Sequence, residues 1–176
     1  MAKATDLTSQ SLSVAVLTVS DTRTEADDSS GKYLVEALES AGHRKGDKVI
    51  VIDDIYRIRA VLSRWIADPE IDAVLVTGGT GFSGRDSTPE AVRPLFDKDI
   101  DGFGELFRAI SYQEIGSSTI QSRALAGFAN NTVIFCVPGS TGACKTAWTG
   151  VICEQLDSSH RPCNFVGVVR VREQLS

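Results

Sequence analysis

The run Ala73-Val74-Leu75-Val76-Thr77-Gly78-Gly79-Thr80-Gly81-Phe82-Ser83-Gly84-Arg85-Asp86-Ser87-Thr88-Pro89-Glu90-Ala91 decides the reading of the fold. Four apolar residues lead into a glycine-rich loop, and the loop gives way to a helix start. The segment is therefore a strand-loop-helix unit whose loop lies at the carboxyl end of a sheet strand. Open α/β sheets place ligands at that edge. Glycines 78, 79, 81 and 84 leave room for backbone N–H groups to turn inward, and Thr77 and Thr80 add hydroxyls, a combination suited to phosphate oxygens. Asp86 is the odd member. A carboxylate beside an anion cradle repels the ligand unless a cation separates them or the carboxylate takes part in the chemistry; the alternative is a tight turn whose aspartate caps a helix. At the helix start, Thr88 as N-cap with Pro89 behind it and a Ser87/Glu90 capping box both fit.

The chain has 176 residues, 42% of them apolar, enough for one α/β domain with a full core and too few for two typical ones. A net charge of −5 supplies no excess positive field, which argues against nucleic acid or an anionic membrane as the main partner. No apolar run approaches about 18 residues, and Met1 to Gln10 lacks a signal-peptide core, so a soluble, cytoplasmic protein is expected. Cys136, Cys144, Cys153 and Cys163 form no C-x-x-C pair, and His43 and His160 have no ligand-like spacing to them. They are read as mostly buried thiols rather than zinc ligands or a disulfide framework.

Outward from the central loop, residues 1–11 read as a disordered leader and Ser13 to Val19 as a first, central strand buried on both faces. Ser20-Asp21-Thr22-Arg23 follows at its carboxyl end, and Asp28 or Ser29 caps a helix marked by Leu34, Leu38 and Ala41 and closed by Gly42. Lys48 to Ile52 reads as the second strand and Arg57 to Ile66 as the next helix. Between them, Asp53 and Asp54 offer either a cap or, for Asp53, a carboxylate that joins Asp86 in holding a divalent metal with substrate phosphates, a normal magnesium arrangement. Gly104 to Ile115 reads as a helix, and Ala124 to Phe128 and Thr132 to Val137 as strands joined at Asn130-Asn131 in a hairpin. Pro138 to Gly142 opens onto a helix from Ala143 to Leu156 with Lys145 in its first turn, a second place for an anion. The tail, residues 158–176, carries a strand-like Val166 to Val171, read as packing on the sheet or on a neighbouring subunit.

T-V-S-D at Thr18 to Asp21, an acidic residue after the second strand, T-G-G-T-G-x4-D-x-T-P-E-A, then Ser122-Arg123 and Pro138-Gly139-Ser140, together resemble the MoaB/MogA family of molybdenum cofactor biosynthesis proteins. The resemblance covers about residues 12–157, and Gly116 to Arg123 with Arg161 to Phe165 look most like the MoaB branch. It implies a three-layer α/β/α sandwich with a mostly parallel central sheet and a small β-hairpin, assembled as a homotrimer or homohexamer. It also implies Mg2+-dependent adenylyl transfer from ATP to the phosphate of molybdopterin. Position by position, Asp53 and Asp86 match the acidic catalytic and magnesium-holding residues. Thr77, Gly78, Gly79, Thr80 and Gly81, with Ser20, match the nucleotide-phosphate site; Ser122, Arg123, Gly139 and Ser140 match the pterin site. The rival expectation is a non-catalytic oligomer that binds molybdopterin or a nucleotide and acts as a carrier in the same pathway. A P-loop hydrolase is disfavoured, because no G-x-x-x-x-G-K-[ST] occurs.

Overall fold

The computed structural model describes residues 9–169. Strands β1 (Ser13–Val19), β2 (Arg44–Val51), β3 (Ala73–Thr77), β4 (Lys98–Asp99), β5 (Leu125–Ala129) and β6 (Thr132–Val137) form one sheet in the order β2-β1-β3-β6-β5-β4. The first four in that order are parallel, and β5 and β4 pair antiparallel at one edge. Around it pack α1 (Ser29–Ser40), α2 (Ile55–Ala67), α3 (Thr88–Val92), α4 (Asp101–Ile115), α5 (Thr141–Ala147), α6 (Cys153–Gln155) and α7 (Val166–Val169).

Period-two alternation along the central strands sorts the side chains into two layers. Val14, Val16, Leu75, Val133 and Phe135 face Leu34 and Leu38 of α1, Phe103 and Phe107 of α4, and Ile152 beyond α5. Ala15, Leu17, Val74, Val76 and Ile134 face Ile58, Leu62 and Trp65 of α2 and Ala91 and Val92 of α3. The expected three-layer α/β/α sandwich is what forms. Register then sets the site. Thr18 pairs with Thr77, Thr77 with Val137, and Val19 with Val51, so four strands end at one level and release their loops at one edge. The chain reverses its winding between β1 and β3, which makes that edge a topological switch point.

Several boundaries depart from expectation. β2 begins at Arg44 rather than Lys48, because an exposed, polar edge segment pairs with β1 through a bulge beside Gly46; Ile52, expected in the strand, lies outside it. A Cβ on Gly46 would meet Ile71 at 2.6 Å. The helix expected from Ala143 to Leu156 forms as one continuous helical run from Thr141 to Gln155, in which α5 and α6 are joined through a π-helical turn (Trp148–Ile152). The expected strand at Val166 is helix α7: Val166 and Val169 are buried one turn apart while Val168 is exposed, and Asn164 Oδ1 accepts the Val166 N–H at 3.0 Å. Val166 and Val169 pack into the chain's own core; Val171 lies outside the described residues. Of the leader, residues 1–8 also lie outside them, while Gln10 N–H donates to Ser158 at 2.8 Å. Asn130 and Asn131 form the two-residue hairpin turn at φ 48° and 62°, the left-handed values a type I′ turn demands.

His43 is buried and accepts the Leu12 N–H through Nδ1 at 3.2 Å. Burial holds its pKa below the usual 6.5, against the opposing pull of Asp157 and Asp72. The unfolded imidazole protonates first, so the His43 contribution to stability is complete above about pH 6.5 and declines as pH falls toward the lower folded value. Urea unfolding between about pH 7.5 and 5.5 should show stability falling by no more than about 1.4 kcal/mol per pH unit from this residue. His43→Asn, which retains an acceptor, should flatten that slope.

Candidate active site

β3 hands its last pairing to the loop, since Gly78 N–H donates to Val137 O at 3.0 Å. Gly78 and Gly79 then turn at φ 105° and 64°. A Cβ on Gly78 would collide with the Val19 carbonyl, and one on Gly79 would lie 2.5 Å from Asp53 Oδ2, so both glycines are required by φ and by space. The helix start closes the loop back on itself: Thr88 Oγ1 donates to Gly78 O at 2.8 Å, and Thr88 N–H to Gly79 O at 3.0 Å. Neither expected cap forms. Ser87 is the N-cap of α3 by position without a capping side-chain bond; its hydroxyl goes to Asp53 instead, and Glu90 pairs with Arg123.

Arg123 holds the loop from behind. Its Nε donates to Gly81 O at 2.9 Å, a terminal nitrogen donates to Asp86 O at 3.1 Å, and its backbone N–H donates to Thr80 O at 3.0 Å. Its side chain lies against Glu90 and the Phe82 ring, outside the cleft lining. Asp86 Oδ2 accepts the Ser83 N–H at 2.8 Å, which holds the carboxylate in the loop with its far side to the cleft.

The alternative at residues 53 and 54 resolves by division of labour. Asp54 caps α2, accepting the Tyr56 and Arg57 N–H groups at 3.0 and 2.9 Å, and leaves Asp53 to turn into the cleft. Asp53 is 8% exposed and accepts both N–H and O–H of Ser87 on Oδ1. Burial raises its pKa above the ordinary carboxylate value; the two Ser87 hydrogen bonds oppose this, and the charges of Asp86 and Asp21 reinforce it. Asp21 is held low, first by its hydrogen bonds from Arg85 and next by the Asp53 N–H. The Arg85 guanidinium grips Asp21 through two hydrogen bonds of 2.9 and 2.8 Å, joining the glycine loop to the turn after β1.

The other wall comes from the loop after β6. Ser140 caps α5 by accepting the Ala143 N–H at 3.1 Å, and Gly139 O accepts from Ser30 Oγ at 2.7 Å. Ser30 in turn accepts from Arg23 at 2.7 Å. Asp28 is fully buried, caps α1 through Gly31 N–H at 2.9 Å, and is ion-paired to Lys48 at 3.0 Å; it anchors Arg23 from outside the cleft. Ser20 Oγ accepts the Arg23 N–H at 3.2 Å, and the Thr77 hydroxyl donates to Pro138 O at 3.0 Å, so both hydroxyls already serve the loops.

One cleft of about 620 Å³ gathers Ser20, Asp53, Thr77 to Gly81, Asp86, Ser122, Gly139 and Ser140, within the usual range for small-molecule sites. Of the sequence-derived candidates, Arg123 stands apart, behind the loop. Sequence reasoning gave no site role to Asp21 and Arg85, although both lie within the motifs it used, nor to Arg23, which follows one of them, and it missed Glu114 and Thr146, which carry no local signal.

A family model described as "Probable molybdopterin binding domain" matches residues 15–158. The chain belongs to the MoaB/MogA family. It is 55% identical over 152 residues to molybdenum cofactor biosynthesis protein B of Escherichia coli (strain K12), covering 86% of this chain and 89% of that protein. With the protein of the same name from Bacillus subtilis (strain 168) it shares 47% identity over 142 residues, 80% and 84% of the two chains. A crystal structure of a molybdenum cofactor biosynthesis protein B matches with a TM-score of 0.83 at 40% identity, over 95% of this chain and 98% of that one. The glycine loop of this MoaB/MogA-family chain is thus part of the matched region.

Gly79→Ala should lower stability by roughly 1–3 kcal/mol and displace Asp53, because the strained φ and the carboxylate contact act together. Gly84→Ala meets no atom within 4 Å and should stay within about 0.5 kcal/mol of wild type. Thermal melts of the two variants make the comparison.

Proposed function

We propose that the protein acts in molybdenum cofactor biosynthesis as an adenylyltransferase, using Mg-ATP to adenylylate the phosphate of molybdopterin in the cytoplasm. The observation that carries this reading is the placement of Asp53 beside Gly79 and of Asp86 beside Gly81 in the lining of a single cleft. Both carboxylates crowd the loop: a Cβ on Gly81 would lie 2.8 Å from Asp86 Oδ2, much as one on Gly79 would meet Asp53. Asp53 carries its charge against burial and against Asp86 and Asp21. A divalent cation relieves that opposition, so the donor set fits magnesium. Among the described residues no three His, Cys, Asp or Glu side chains form a metal site, so substrate phosphates and water would complete the coordination of an ion held by Asp53 and Asp86. When bound, magnesium supplies neutralisation of the charge gathering on pyrophosphate.

The chemistry asks little covalent help from the protein. An anionic oxygen of the pterin phosphate forms a bond to the α-phosphorus of ATP, the α–β P–O bond breaks, and pyrophosphate leaves with the electron pair. Because the attacking oxygen is already ionised, no general base is needed. What remains is in-line positioning. Backbone N–H groups of Gly79 to Gly81 hold the nucleotide phosphates beside Ser20, with the Gly78 N–H already given to Val137, while Ser122, Gly139 and Ser140 hold the pterin side. Arg123 keeps the cradle in shape through its carbonyl contacts.

Purified protein incubated with molybdopterin and Mg-ATP should yield adenylylated pterin, and Asp86→Asn or Asp53→Asn should lower turnover by roughly 100- to 1,000-fold while ligand binding persists. Tight pterin binding by wild type with no product would make the protein a carrier. The same reading includes a homotrimer or homohexamer. Leu106, Tyr112 and Ile120 expose apolar side chains around α4 outside the cleft, supporting a subunit contact there. Light scattering should report an oligomer, and a monomer at micromolar concentration would remove that contact.

A further inference from the structure

The cleft has two chemically different ends. Ser20, Arg23, Arg85, Asp21, Asp53 and Asp86 cluster around the glycine loop. The opposite end is built by α4, the 310 turn Gly116–Gln121 and α5, from Phe107, Ser111, Ile115, Thr119 and Thr146 together with a single charged side chain, Glu114. The only basic residues in the described lining are Arg23 and Arg85, both on the loops of the phosphate end. Glu114 Oε2 accepts from Thr146 Oγ1 at 2.7 Å, and Thr146 is 7% exposed on α5 with its hydroxyl also 3.1 Å from Gly142 O. A buried hydroxyl thus orients a carboxylate that lines the cleft, and each carboxylate oxygen keeps a lone pair for a further donor.

We propose that Glu114 is a specificity-determining residue that reads the paired N–H donors of a 2-amino-4-oxopyrimidine ring, the edge shared by pterins and guanine. This rests on the reading of the cleft as a site for a pterin phosphate. An ionised carboxylate only accepts, so it favours adjacent donors and repels acceptors. The exocyclic 2-amino group and N3–H present two parallel donors to one carboxylate, a charge-assisted bidentate pairing. Adenine places an acceptor, N1, beside its N6 donor, and a lumazine ring replaces the amino group by a carbonyl; each sets an acceptor against the Glu114 oxygen. Ile115, exposed in the cleft lining, supplies apolar surface for the ring, which leaves orientation to Glu114. The two ends then sort a ligand that is anionic at one extremity and a donor at the other.

Equilibrium dialysis of the full chain against 6-(hydroxymethyl)pterin monophosphate, its lumazine counterpart, GMP, AMP and inorganic pyrophosphate tests this. Wild type should prefer the pterin to the lumazine by at least about 10-fold. Glu114→Gln, which retains the volume and a partner for Thr146, should weaken the pterin about 10- to 100-fold, bring the two within about threefold, and leave pyrophosphate unchanged. Thr146→Val should give a smaller loss in the same direction. GMP following the pterin in both proteins assigns the edge irrespective of the ring system; GMP unaffected by the substitution restricts it to pterins, and AMP should be insensitive to Glu114 throughout. If Glu114→Gln keeps the wild-type preference, the role of Glu114 is overturned with the pterin site intact. If wild type binds pyrophosphate and no pterin phosphate, both the role and the reading beneath it fall.

Discussion

The structure depends on the register of three parallel strands. β1, β3 and β6 are buried on both faces, and a slip of one residue would exchange the side chains that meet α1 and α4 with those that meet α2 and α3. That constraint fixes Thr18, Thr77 and Val137 at one level. The cleft is the outcome: three loops leave the sheet side by side at the point where its winding reverses, and each contributes a different chemical group. Packing far below the surface therefore decides how far apart the turn after β1, the glycine loop and the loop after β6 stand.

Charge is distributed over that edge with a clear imbalance. Asp21, Asp53, Asp86 and Glu114 line the cleft against Arg23 and Arg85. Arg85 is committed to Asp21 and Arg23 to Ser30 and the buried Asp28, so neither cation faces the glycine loop uncommitted. On the reading proposed above, an incoming polyphosphate would meet backbone donors with acidic side chains beside them, an arrangement suited to an anion that brings its own counter-ion. Asp28 sits apart from this economy of charge: its desolvation is offset by the Gly31 N–H, Lys48 and Thr18, and the result is a fixed anchor for the turn after β1.

Much of the fold was legible because burial on two faces writes a continuous apolar run, as at Ser13 to Val19 and Thr132 to Val137, and because glycine and asparagine mark turns that other residues cannot make. The polar start of β2 was not, since an edge strand with a bulge carries no such run. At α7 the β-branched composition masked a three-residue period that burial of Val166 and Val169 reveals. Within the candidate site, the loop residues could be read from local spacing. Glu114 and Thr146 could not, because their meeting depends on how α4 and α5 pack, and Arg123 was visible as a basic residue without any sign that its guanidinium would turn to loop carbonyls.

Arg123 stands 42 positions beyond Gly81, whose carbonyl it grips, and Gly139 comes later still. A growing polypeptide that has completed its glycine motif has neither the clasp behind the cradle nor the wall facing it. The cradle is thus a product of the finished domain, and its geometry reports that β5 and β6 have joined the sheet. Any truncation that removes the second half of the domain keeps the most diagnostic letters of the sequence while losing the shape they encode.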